Sequence, residues 1–377
     1  MNVLKRIVCA VLAAATLVLC FASCEEKKEL DVANITLTQK QLKDVQTKIE
    51  KALTDADFSG GVYVKLNKNT LYENYFGIED PVTDKKISAS TQYQVSSMTK
   101  NITGAAILQL CDEGKLKLDD TLDLYFDATG DKAYLKKITV KQLVGVEVSF
   151  GAYFLNLLSD NKKIDQVERL IKKGKGLKSY ITDYILTNGI ESGSNQPHSN
   201  YYLLGIIIEK ASGMDYKEYI RKNIFDKLKM TKSTFVDKNQ PMRGYNVDTE
   251  MWRDEKLNIF YNDYDFMFSS FGVVSDVGDM LKFYDATLAG KITKTNMIKK
   301  INEFYTNYGF GFRHDGHNLY GYSGTSLHTS FVYLNDETKE IVILNSNQIG
   351  NIRLNATGKA VYNAVNSKIN GMRLSEE

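Results

Sequence analysis

Ser97 and Lys100 are the residues whose types and spacing could do chemistry. They lie in the run Tyr93-Gln-Val-Ser-Ser97-Met-Thr-Lys100, ahead of an apolar, alanine-containing stretch from Ile102 to Leu110 that Asp112-Glu-Gly114 then stops. That arrangement predicts a helix starting near the serine. Residues three apart share one helix face, so the Lys100 amine reaches the Ser97 hydroxyl. The helix N-terminus adds unpaired backbone N–H groups and a positive dipole end beside it. An alcohol with a base at its side and donors around it is the minimum equipment for acyl transfer.

The pattern alone is unspecific, because Ser159-Asp-Asn-Lys162 repeats it inside a polar stretch that reads as surface. Other combinations carry less. His314-Asp-Gly-His317 resembles a metal pair, but Asp-Gly between strand-like residues is a hairpin turn signal. No metal or cofactor is expected, since P-loop, dinucleotide and zinc-type spacings are absent from the sequence. His328, at the start of a strand-like run, reads as structural, and Tyr261, Tyr264, Phe266 and Phe268 read as core or cleft wall. Cys111 falls on the apolar side of the Ser97 helix and reads as a small core residue.

The elements that must position Ser97 follow from periodicity. Residues 36–54 have a helical stripe at Leu42, Val45, Ile49 and Leu53. Gly60–Lys65 and Thr70–Phe76 alternate apolar and polar residues across Asn67–Asn69, a hairpin signal. From about 97 to 300 the pattern is mostly helical, at Ile102–Cys111, Thr139–Val144, Tyr201–Ala211, Tyr216–Phe225 and Val277–Leu288. Strands return as Tyr308–Arg313, a run through Tyr322, Thr329–Leu334 and Glu340–Leu344, and a helix closes the chain from about Ile352. Neither set of strands buries its apolar face alone, so both are expected in one sheet. The fold class is therefore α/β of the α+β type. An antiparallel sheet from about 36–96 and 301–377 stands beside a helical lobe from about 97–300, with Ser97 in the cleft between them.

The chain's beginning predicts export. Lys5 and Arg6 precede an uncharged apolar run from Ile7 to Phe21, too short to span a bilayer comfortably and suited to a signal peptide over residues 1–23. Phe21-Ala-Ser-Cys24 resembles the lipobox of bacterial lipoproteins, which implies a lipid on Cys24, with residues 24–35 as tether. Removing Lys5 and Arg6 from 48 basic residues leaves 46, against 46 acidic ones. A near-neutral chain with no basic stripe argues against a nucleic-acid partner.

Four blocks together carry a family resemblance. Tyr93–Asp120 holds the S-x-x-K serine, Ser199-Asn-Tyr-Tyr-Leu-Leu-Gly205 continues into Ile206–Gly213, Phe271-Gly-Val-Val-Ser-Asp follows, and Gly321-Tyr-Ser-Gly324 comes last. In this order they resemble the serine beta-lactamase-related family of class C beta-lactamases, D,D-peptidases and esterase relatives, across roughly residues 40–365. The resemblance implies Ser97 as nucleophile, Lys100 as its activating lysine, and backbone N–H groups of Ser97 and Thr325 as oxyanion donors. It places Asn200, Tyr322, Ser323 and Gly324 against substrate. Two motif heads depart from the family pattern. His198 stands where the family has a tyrosine base, and Tyr322 where it has a cation or imidazole. An imidazole is well placed for base work near neutrality, so His198 joins Lys100 as a candidate activator of Ser97. Tyr322 carries no charge near neutral pH, which weakens selection for a carboxylated substrate.

The expectation is thus an exported, membrane-anchored serine hydrolase acting on esters, amides or peptidoglycan-related peptides, without a cofactor. Two alternatives stand beside it: a catalytically silent binder of cell-wall fragments or of a protein, and a D,D-peptidase or beta-lactamase with altered motifs.

Overall fold

The computed structural model describes residues 37–80, 83–240, 242, 244–246, 251–252, 255–323, 327–349 and 352–375. The signal segment, Cys24 and the tether lie outside the described residues, as do Gly324 and Thr325.

Helix α1 (Gln39–Asp55) begins at a capping box, in which the Thr38 side chain accepts from Gln41 N–H and the Gln41 side chain accepts from Thr38 N–H. Its stripe Val45, Ile49 and Leu53 is buried, as the periodicity predicts. Strands β1 (Gly60–Leu66) and β2 (Asn69–Phe76) form the expected hairpin. After β3 (Tyr93–Gln94), one 3-10 turn at Ser96–Met98 leads into α2 (Thr99–Asp112). Every residue of α2 from Thr99 to Leu110 is buried, so this helix has no polar face and threads the centre of the molecule.

The helical lobe continues through α3 (Asn161–Lys173), α4 (Leu177–Asn188), α5 (His198–Ser212) and α6 (Tyr264–Phe271). Strand β4 (Val273–Ser275) and helix α7 (Val277–Leu288) complete it. Sequence periodicity does not reveal α3, α4 or α6. Ser159-Asp-Asn-Lys162 proves to be the start of α3, where Asp160 accepts from the N–H groups of Lys162 and Lys163 as an N-cap on the surface.

The closing strands are β5 (Tyr308–Gly309), β6 (Phe312–Asp315), β7 (Asn318–Ser323), β8 (Thr329–Asn335) and β9 (Glu340–Ser346), followed by α8 (Ile352–Ser375). The seven-stranded order is β5-β6-β7-β8-β9-β1-β2, antiparallel throughout. Strand β1 pairs with β9 from Gly60↔Ser346 to Leu66↔Glu340, so the two ends of the sequence do share one sheet. Helices α1 and α8 cover one face, where Val45, Ile49, Leu354, Val361 and Val365 pack with Val62, Val64, Phe331, Val342 and Leu344. The other face meets the helical lobe.

One predicted strand is corrected. Tyr308–Arg313 is not continuous, because Phe310 (φ 48) and Gly311 (φ 89) turn the chain between β5 and β6. The turn abuts the centre of α2, since a Cβ at Gly311 would stand 2.4 Å from the Lys100 carbonyl carbon and one at Gly104 2.5 Å from Phe310 O. Backbone lies on backbone there, and glycine is required for space on both sides.

Candidate active site

Strand β3 delivers Ser97 to the seam between lobe and sheet. It pairs with β4 (Tyr93↔Ser275, Gln94↔Val274), and Val95 N–H donates to Val273 O at 3.1 Å. The chain then turns sharply at Ser96, whose φ of 51 is unusual for a residue with a side chain. The Ser96 hydroxyl donates to Gln94 O at 3.1 Å and to His328 O at 3.2 Å. From Tyr93 to Lys100, Ser97 is the one residue that is not buried, so the turn presents a single side chain to the cleft.

Lys100 is wholly buried, with Nζ 3.0 Å from Ser97 Oγ. The amine also donates to Ser270 O at 3.1 Å and sits 4.0 Å from the centroid of the Phe271 ring. Burial holds its pKa well below the ordinary lysine value. An amine whose charged form is disfavoured by burial, one hydrogen bond from an accessible hydroxyl, is a base in position. The Ser270 carbonyl is available because it lies in the last turn of α6, where carbonyls have no intrahelical partner; the helix is also broken at Phe268 (φ 36, ψ −139). The neighbouring Ser269 O accepts from Thr103 Oγ1 at 2.7 Å, so α6 and α2 are joined at two successive carbonyls.

His198 opens α5 and lies beside Lys100. Its ring stacks on Phe271 at 5.1 Å and meets the Phe154 edge at 5.1 Å, while its carbonyl accepts from Ser270 Oγ at 2.6 Å. Burial, and secondarily the charge of Lys100, hold the imidazole well below its usual pKa. Its Nδ1 is buried without a hydrogen-bond partner. Among the described residues the ring makes no hydrogen bond to Ser97 or Lys100, so the two candidate bases both contact the Phe271 ring without forming a direct relay.

Asn200 makes its hydrogen bonds within the fold. Its Oδ1 accepts from Phe150 N–H at 3.0 Å, and its Nδ2 donates to Val148 O at 2.7 Å and Leu143 O at 3.3 Å. Both amide donors and one Oδ1 lone pair are thus spent on the segment 143–150, and the residue is absent from the cleft lining.

Tyr322 and Ser323 both line the cleft. Tyr322 is 38% exposed, and burial raises its phenol pKa further, which keeps it neutral. The Ser323 hydroxyl accepts from Ser97 N–H at 3.3 Å, occupying the backbone donor expected to hold an oxyanion. The cleft, about 620 Å³, runs from Ser97, Lys100 and His198 past Tyr322 to Arg313 and Lys359. A second cavity of about 470 Å³ on the helical lobe, near Lys217 and Tyr264, holds none of the predicted site residues.

The remaining candidates are placed elsewhere. His317 Nδ1 pairs with Asp336 Oδ1 at 2.7 Å, and His314 Nε2 lies 3.0 Å from Thr306 O, on either side of the β6–β7 turn. Among the described residues no cluster of three or more His, Cys, Asp or Glu side chains could hold a metal. Burial pushes the Cys111 thiol up to about 12, which leaves it inert. Sequence reasoning misses Ser270 and Phe271 as site residues. Their only trace is a Ser-Ser-Phe-Gly sequence after an aromatic run.

Comparison with known proteins gives the family and the fold. Residues 45–365 match the family described as Beta-lactamase. PbpX of Bacillus subtilis (strain 168), named as a penicillin-binding protein, is 25% identical over 91% of this chain and 85% of its own length. Among solved structures, FmtA from Staphylococcus aureus aligns with a TM-score of 0.66 at 22% identity, covering 85% of this chain and 88% of its own. A D-amino acid amidase from Ochrobactrum anthropi SV3 aligns with a TM-score of 0.68 at 18% identity, covering 86% and 99%. At these identities the two structures speak for the fold.

Proposed function

The chain belongs to the beta-lactamase family, and on that premise we propose that it is a serine hydrolase forming an acyl-enzyme on Ser97. The carrying observation is the buried Lys100 amine, its pKa lowered by that burial, 3.0 Å from the accessible Ser97 hydroxyl. Lys100 takes the hydroxyl proton as Oγ bonds to the substrate carbonyl carbon, and the carbonyl electron pair moves onto oxygen. The Ser97 N–H then faces that oxygen once the Ser323 hydroxyl yields its place; a backbone donor of this kind is worth about 10²–10³ in rate. Collapse of the intermediate expels the leaving group with the proton carried by Lys100, and water later releases the acyl group by the reverse sequence. His198 contributes a second candidate base against the Phe271 ring, its pKa lowered by burial and secondarily by the charge of Lys100. A positive charge on Lys100 disfavours one on the imidazole.

The substrate class is an ester, an amide or a small peptide, cell-wall-derived peptides among them. The names of PbpX and the D-amino acid amidase support an amide-like bond. Neutral Tyr322 supports a substrate without a carboxylate beside that bond. A D,D-peptidase-like reading has one observation in its favour, because Arg313 and Lys359 on the far cleft wall could meet an anionic group. We place the protein outside the cytoplasm, held at a membrane by lipid on Cys24. Acylation rates for paired amides and esters, with and without a carboxylate next to the scissile bond, test the choice. Faster reaction of the uncharged member supports the main reading; preference for the carboxylated member and for penicillin supports the peptidase.

A further inference from the structure

We propose that His328 is a positioning residue for Ser97, acting as the hydrogen-bond acceptor that locks the strand carrying the nucleophile to the main sheet. The inference rests on the reading of Ser97 as nucleophile. Among the described residues, strand β3 pairs with a strand on one edge, β4. On its other edge Gln94 N–H donates not to a strand but to His328 Nδ1, at 2.9 Å. Both residues are buried, at 0% and 3% exposure. A backbone N–H is always the donor, so Nδ1 must carry a lone pair, and the ring proton of the neutral imidazole sits on Nε2.

The same residue acts a second time through its carbonyl, which accepts from the Ser96 hydroxyl at 3.2 Å. Ser96 holds the left-handed conformation that aims Ser97, and such conformations persist only where the surroundings over-determine them. The Tyr93 ring meets the imidazole edge-on at 5.7 Å, fixing its plane. Thr329, the next residue, begins β8, which pairs with β7 through Ser323↔Ser330. His328 therefore couples the turn that aims the nucleophile to the strand whose Ser323 hydroxyl meets Ser97 N–H. Without the acceptor, Gln94 N–H is buried and unpaired, and the turn loses its tie to the opposite cleft wall.

The test compares two variants of the full chain. His328→Asn offers an amide oxygen close to the position of Nδ1, whereas His328→Leu has similar bulk and no acceptor. Fluorophosphonate labelling of Ser97 is followed by intact mass over a range of reagent concentrations, with Ser97→Ala as control. Misplacement of the nucleophile predicts about a 10²-fold drop in the saturating labelling rate for His328→Leu with unchanged half-saturation, and near-complete rescue in His328→Asn. A Leu variant labelling at the wild-type rate, or an Asn variant as slow as Leu, overturns the proposal while leaving Ser97 as nucleophile intact. Wild type that labels no more than Ser97→Ala overturns both. Should His328→Leu fail to fold, imidazole nitrogen shifts of the wild type decide, because a proton on Nδ1 of His328 contradicts the proposal.

Discussion

Burial sets the chemistry of Lys100, since desolvation alone lowers its pKa. The same burial ties catalysis to stability. The unfolded chain keeps the lysine proton up to the ordinary value of 10.5, whereas the folded chain releases it well below that. Between the two values the unfolded state binds more protons, so wild-type stability rises with pH across that window. Lys100→Met therefore flattens this slope in pH-dependent denaturation curves, and it lowers Ser97 labelling by about 10²–10⁴-fold. Labelling by wild type falls with decreasing pH as Lys100 gains its proton. Ser97 and Lys100 are legible in the sequence because a helix start fixes the meaning of three-residue spacing. Ser270, Phe271 and His328 are not, because each reaches the site across more than 150 positions of sequence through a carbonyl, a ring face or a ring nitrogen.

At the scale of elements, the strongly periodic segments are legible, and those organised by capping or breaks are not. Helix α7 spans Val277–Leu288 as read from its pattern, and α1 and β1–β2 differ only at their ends. Helix α6 escapes detection because its run is buried from Phe266 to Phe271 and is broken at Phe268, so it shows no helical stripe. The turn at Phe310–Gly311 escapes because a tertiary contact with α2 overrides an alternating pattern. Asn200 has a structural part that its motif position does not reveal, since its amide ties α5 to the loop 143–150. Asn200→Ala leaves three backbone groups without their side-chain partner and should cost about 3 kcal/mol in chemical denaturation. Activity lost with folded protein intact and no change in stability would favour the substrate contact.

On the scale of the whole molecule, the cleft exists because the two ends of the sequence close one sheet around a helical insertion. The pairing of β1 with β9 and the packing of α8 against α1 carry that closure. Ending the chain before Ile352 uncovers Phe331, Val342 and Leu344, and should abolish cooperative melting of the entire domain rather than of the sheet alone. This architecture was legible from the order of elements, since neither strand set could bury a face by itself. The local geometry of the cleft, with His198 and Lys100 both against the Phe271 ring, was not. The central claim remains that a buried lysine of lowered pKa makes Ser97 a nucleophile. The most direct measurement is the intact mass of the domain after fluorophosphonate exposure across pH 6–9, beside Ser97→Ala. A single adduct on wild type, absent from Ser97→Ala and forming faster as pH rises, is the predicted result. Folded wild type that gains no mass at any of these pH values would contradict it.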